Sequence, residues 1–160
     1  MAKYLYGAIL VAILVFMAAV VSYRLQSHEV PTVSQRPSTA EFGGVALRIE
    51  FATTTTARYR GLGGRTSIPD DYGMLFVFKK AGMYGFWMKD MVVPIDIFWL
   101  DSKGQVTSIA FDVATSSYPH VFYPSAPALY VLETAAGFAR RHRIVPGIPL
   151  LLQSFPGVSE

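Results

Sequence analysis

The residues best placed to do chemistry in this sequence are charges set inside apolar runs. Asp96 lies in Ile95-Asp96-Ile97-Phe98-Trp99-Leu100. On an extended chain its side chain shares a face with Phe98 and Leu100, while Ile95, Ile97 and Trp99 take the other. With both faces apolar, the strand is expected to be central and the Asp96 carboxyl largely buried, so that it must be paired, hydrogen-bonded or protonated. Glu133 repeats the pattern behind Leu129 and Val131, and Lys89 ends Phe86-Trp87-Met88-Lys89. Arg58 falls in a short helical stretch. One reading gathers Arg58, Lys89, Asp96 and Glu133 into a polar pocket floored by Trp87 and Trp99. Two carboxyls in unlike surroundings can act as acid and base, and aromatic platforms beside charges hold small polar ligands. The other reading is an internal salt-bridge network, Arg58 with Asp96 and Lys89 with Glu133, that only fixes the fold. The residues by themselves leave both open.

Familiar catalytic patterns are missing: there is no H-E-x-x-H, G-x-S-x-G, P-loop or G-x-G-x-x-G. The chain has no cysteine, which excludes disulfides, thiolate catalysis and cysteine-based zinc sites. His28, His120 and His142 are far apart in sequence. No metal and no cofactor are therefore expected.

The elements that must position these residues are short. Val45 to Phe51 alternates as a half-buried strand does. Thr53 to Thr56 offer N-caps for a helix through Ala57, Arg58 and Tyr59, ended by Gly61, Gly63 and Gly64. Strands are expected over 74–78, 85–89, 95–100, 106–113, 128–134 and 148–153, with a hairpin turn at Asp101-Ser102-Lys103-Gly104. A second helix is expected over 135–143, and an ordered proline-rich loop over 114–127. Together these predict a mainly β domain, a sandwich or barrel with mostly antiparallel strands and two short helices.

Ahead of the domain, residues 4–23 are uncharged and overwhelmingly apolar. Twenty residues at about 1.5 Å rise span a hydrocarbon core of about 30 Å. The run exceeds a signal h-region and ends without a clean small-x-small site, which favours a retained anchor over a cleaved signal. Lys3 and the α-amino group weakly place the N-terminus in the cytoplasm. The expected organisation is thus a hydrophobic segment over 1–23, a Pro/Ser/Thr linker over 24–44 and one domain over 45–155, membrane-bound with the domain outside the cytoplasm, or secreted or periplasmic if the segment is removed. From Val45 onward eleven Lys/Arg face nine Asp/Glu, so the domain is nearly balanced and lacks the basic stripe of a nucleic-acid binder. The cluster Arg140-Arg141-His142-Arg143 is expected at a helix C-terminus, where cations are favoured.

Five runs in order, Ala57-Arg58-Tyr59-Arg60-Gly61-Leu62-Gly63-Gly64-Arg65, Gly73-Met74-Leu75-Phe76-Val77-Phe78, Phe86-Trp87-Met88-Lys89-Asp90, Pro94-Ile95-Asp96-Ile97 and Tyr130-Val131-Leu132-Glu133 with Ala136-Gly137, resemble the bacterial and archaeal "domain of unknown function 192" family over residues 45–153. The resemblance implies a compact β-rich fold, but no activity. The family's recurrent polar positions fall on Arg58, Arg65, Lys89, Asp90, Asp96 and Glu133, which with Trp87 are the candidate ligand-binding residues. Gly63 stands where the family usually has Met, Asp90 where Asn commonly follows Trp-Met-Lys, and Gly147-Ile148 where a Gly-Asp turn is usual. The leading expectation is an extracytoplasmic module that binds a small polar ligand, such as a saccharide, or an envelope partner. A hydrolase or lyase using Asp96 and Glu133 as acid and base is the rival. A structural envelope protein making contacts through Tyr118 to Tyr123 is the third.

Overall fold

The structure is a computed structural model that describes residues 38–153 and 155. The expected hydrophobic segment and residues 24–37 of the expected linker lie outside these. Among the described residues no helix is long and apolar enough to cross a membrane.

Among the described residues nine strands and two short helices follow one another. They are β1 (Ser38–Phe42), β2 (Val45–Ala52), α1 (Thr55–Arg60), β3 (Tyr72–Gly82), β4 (Phe86–Trp87), β5 (Ile95–Leu100), β6 (Val106–Val113), β7 (Val121–Phe122), β8 (Ala128–Ala135), α2 (Phe138–Arg141) and β9 (Leu150–Leu152), with a 3-10 turn at Thr115–Ser117 before β7. Seven strands form one sheet in the order β6-β5-β8-β3-β2-β1-β9, and β4 pairs with β7 apart from it. Among the described strand pairs only β2 and β3 run parallel. Their connection therefore cannot be a hairpin, and it carries α1 and the glycine-rich turn. The sheet curls until its edges meet: Val106 N–H donates to Ile148 C=O at 3.0 Å and Leu150 N–H to Gly104 C=O at 2.9 Å. The architecture is one curled sheet rather than two facing ones.

Each face of the sheet has its own core. The enclosed face gathers Phe42, Leu47, Leu75, Phe98 and Leu132 with Phe138 of α2. Phe98 meets both Phe42 and Phe138 edge-on, at 5.1 and 6.3 Å between centroids. The outer face of β3, β8 and β5 carries Met74, Phe76, Ile97, Trp99 and Val131, against which Leu62, Met88 and Phe86 pack. All six residues of β5 are buried, as expected of a central strand, and each large apolar side chain so buried contributes about 1.5–3 kcal/mol.

β3 is longer than expected and β4 and β9 are shorter, and three further regions differ from expectation. β1 occupies residues assigned to the linker. Its composition is polar, but Ala40 and Phe42 are buried and alternate with exposed Thr39 and Glu41. Gly43 and Gly44, both at positive φ (62° and 81°), make the two-residue turn that folds β1 back on β2. The second helix is shorter than expected. Ala135 still belongs to β8, and Gly137 turns the chain at φ 77° before α2 begins. The proline-rich loop contains β7 and a cis Tyr118-Pro119 bond.

Candidate functional site

A pocket of about 340 Å3 opens on the outer face beneath α1. Its walls come from α1 (Arg58, Tyr59, Arg60), the end of β3 (Phe76, Phe78) and the segment from Tyr84 to Lys89; Glu133 of β8 completes it. Thr54 caps α1, its hydroxyl accepting from Ala57 N–H at 3.1 Å. α1 ends at Gly61, whose φ of 52° with ψ of −138° is a conformation that only glycine adopts readily. A Cβ at Gly61 would lie 3.4 Å from the Phe76 ring and 3.7 Å from the Glu133 carboxyl, so the glycine brings the backbone over Glu133.

Glu133 is the electrostatic centre. Its partners across the sheet are Met74 and Ile97, which places it on the outer face among apolar side chains. It is 4% exposed, and Oε2 has no hydrogen-bond partner. Burial pushes its pKa up to about 8, opposed by the charge of Arg65. At neutral pH the group is thus mostly a neutral acid, able to donate a proton in a hydrogen bond. An unmet buried polar group of this kind costs about 1–3 kcal/mol.

Two cations are held over the pocket by defined contacts. Arg58 Nη1 donates to Thr53 C=O at 2.6 Å and to Val77 C=O at 3.0 Å, tying α1 to β3, and its guanidinium lies 5.5 Å from the centre of the Phe78 ring. Lys89 Nζ donates to the Tyr59 hydroxyl at 2.7 Å and lies 3.6 Å from the Asp90 carboxylate. The Tyr59 contact, chiefly, holds the ammonium above its usual pKa. Neither forms the ion pair of the salt-bridge reading. Trp87, partly exposed, also lines the pocket and tilts against Tyr118 at 5.9 Å. Trp99 is not part of the floor. It is buried with its indole N–H on Tyr84 C=O at 2.8 Å, and Phe76 and Phe86, edge to face at 4.9 Å, lie on the pocket side.

Of the candidate residues, Arg58, Trp87, Lys89 and Glu133 come together here. Arg65 lines the adjoining smaller pocket, its Nη2 donating to both Glu50 carboxylate oxygens at 2.8 and 3.0 Å and its Nη1 to the Tyr72 hydroxyl at 2.9 Å. Asp90 is exposed at φ 58°, and its C=O accepts from Gly64 N–H at 2.8 Å. Asp96 lies on the enclosed side, where Oδ1 accepts from Asp112 N–H (2.7 Å) and Gly137 N–H (3.2 Å), and Oδ2 from Ala139 N–H (2.8 Å). It anchors the start of α2 and the end of β6. Because Glu133 faces outward beside Ile97 while Asp96 faces inward beside Phe98, the expected acid–base pair does not form.

Sequence reasoning missed Tyr59, Phe78 and Tyr84. Tyr59 could have been found, as an aromatic on a helix too short to bury a face. Phe78 and Tyr84 stack at 3.6 Å where the pairing of β3 with β8 shifts register between Val77 and Gly82, an irregularity that spacing does not reveal. Among the described residues no three His, Asp or Glu side chains group as a metal site would need.

A curled, mainly β domain with a pocket on the outer face of its central strands defines the class of protein. The chain belongs to the domain of unknown function 192 family, described as Uncharacterized ACR, which it matches over residues 38–151. Solved structures similar to it include the following two. One is a protein from Sinorhizobium meliloti 1021 carrying the provisional label of transcription regulator (28% identity, TM-score 0.66, covering 71% of this chain and 91% of that one). The other is a protein of unknown function from Novosphingobium aromaticivorans DSM 12444 (32% identity, TM-score 0.64, covering 76% and 89%). Among curated proteins none matches the chain.

Proposed function

We propose that this protein is a membrane-tethered extracytoplasmic binding module that takes a small polar, ring-bearing ligand, such as a saccharide, in the pocket beneath α1. The observation that carries the reading is Glu133, a buried carboxyl with an unpartnered oxygen, lining a cavity walled by aromatic rings. A group held at a cost to stability is a mark of a binding or reacting site. The tether rests on the uncharged run at residues 4–23. The transcription-regulator label belongs to the Sinorhizobium protein. Here Arg140 pairs with Asp112, and Arg141 with Asp70 at 2.8 Å, so two cations of the basic cluster are already engaged.

The test is a panel of small saccharides, amino acids and ring carboxylates added to the full chain in detergent micelles, followed by thermal unfolding. At least one compound is expected to raise the melting temperature of the wild type by several degrees, as a ligand that binds only the folded state must, and to lose that effect in Glu133→Leu. If every compound leaves wild type unmoved, or shifts both proteins equally, the pocket is not the binding site.

A further inference from the structure

We propose that the pocket beneath α1 selects small ring-bearing anions, with the anionic group at the mouth against Arg58, Arg60 and Lys89 and a hydrogen-bond acceptor at the deep end against the Glu133 carboxyl. This rests on the binding reading above and assigns its ligand class.

The argument is a gradient of polarity. The three lining cations are partly or fully exposed, whereas Glu133 is 4% exposed. Glu133 is the one carboxyl among the lining residues. Past the cations an anion therefore meets no fixed negative charge in the lining, since burial favours the neutral form of Glu133. The cations are oriented in advance: Arg58 by two backbone carbonyls, Lys89 by the Tyr59 hydroxyl. Preset donors lose little freedom on binding. A cationic ligand would face all three, and Glu133 could neutralise only one charge. The lining also includes Phe76, Phe86 and Trp87, surfaces that suit a ring. The remaining charges near these groups are Asp90, 3.6 Å from Lys89 and exposed, and the Glu50–Arg65 pair beyond Gly61 in the adjoining pocket.

The test uses four probes that share a benzene ring. 4-Acetylbenzoate has both the anion and the acceptor, acetophenone lacks the anion, benzoate lacks the second acceptor, and 4-(aminomethyl)acetophenone replaces the anion with a cation. Binding to the full chain in micelles at pH 6.5 is followed by the Trp87 indole NMR signal, with protein-free micelles as the blank. 4-Acetylbenzoate is expected to bind at least about tenfold more tightly than each of the others, the ratio that about 1.4 kcal/mol gives. Lys89→Gln should shrink its lead over acetophenone, and Glu133→Leu its lead over benzoate. Equal or tighter binding of acetophenone or the amine overturns anion selection and leaves the pocket as a binding site. Silence with all four also overturns it, and the binding reading then stands or falls on the saccharides of the wider panel.

Discussion

Asp96 and Glu133 are both carboxyls buried in the middle of one sheet, on strands that pair directly, yet the two faces treat them in opposite ways. On the enclosed face Asp96 receives three backbone N–H groups from the end of β6 and the start of α2. On the outer face Glu133 has an oxygen with no partner and apolar neighbours. The first arrangement satisfies a buried charge and joins three segments of chain. The second leaves a polar group at a cost, beside a cavity. The contrast separates a carboxyl that serves the fold from one that the fold does not need.

The sharpest way to break this comparison is Asp96→Asn. The amide turns one acceptor into a donor and sets it against at least one of the backbone N–H groups that the carboxyl now accepts. Leaving those donors unmet should cost about 3 kcal/mol, lowering the melting temperature of the full chain by about 10 °C. A variant that melts with wild type would mean that the carboxylate does not hold α2, and the distinction between the two carboxyls would fail.

Glu133→Gln should do the reverse, through pH. The folded-state pKa of Glu133 is raised to about 8 from the usual 4.5. Below pH 4.5 both folded and unfolded states hold the proton and no penalty exists. Between 4.5 and 8 the unfolded chain releases it while the folded chain keeps it, so stability falls as pH rises, and levels off above 8. Gln cannot titrate. The variant should therefore match wild type near pH 4 and exceed it by about 3 kcal/mol at pH 7. Denaturant unfolding of both proteins from pH 4 to 9 reads the difference and cancels every other titrating group. A difference that does not change with pH would show that Glu133 is ionised in the folded protein.

Much of this contrast was legible beforehand, and its key step was not. The alternation in β5 fixed that Asp96 shares a face with Phe98, and the one in β8 that Glu133 shares a face with Val131; both hold. What alternation lacks is which face of β5 continues into which face of β8. A one-residue change of register exchanges the two, and the observed pairing of Ile97 with Glu133 is a long-range fact. Hence the two carboxyls, grouped by their similar surroundings in sequence, come to lie on opposite sides. The strand β1 was hidden for a different reason. Only Ala40 and Phe42 bury apolar surface there, too little to stand out from proline-rich chain. By contrast, Lys89 and Glu133 were nameable because each ends an apolar run where a charge would not be expected, Trp87 because it belongs to such a run, and Arg58 from its place on the short helix.

The smallest expected effect concerns Asp90, where this chain departs from the family's usual Asn. The backbone there is left-handed, φ 58°, a conformation that Asn and Asp both adopt more readily than other side chains. The carbonyl, not the carboxylate, holds the Gly64 turn. Asp90→Asn should thus leave the melting temperature within about 2 °C of wild type. Its carboxylate does lie 3.6 Å from Lys89 Nζ in solvent-exposed surroundings, where it offsets part of the positive field at the pocket mouth. Removing it should tighten 4-acetylbenzoate about twofold, a modest gain because the pair is screened by water, and should leave acetophenone unchanged. A twofold gain for both compounds would trace the effect to the shape of the turn rather than to charge, and no gain for either would place the anion away from Lys89.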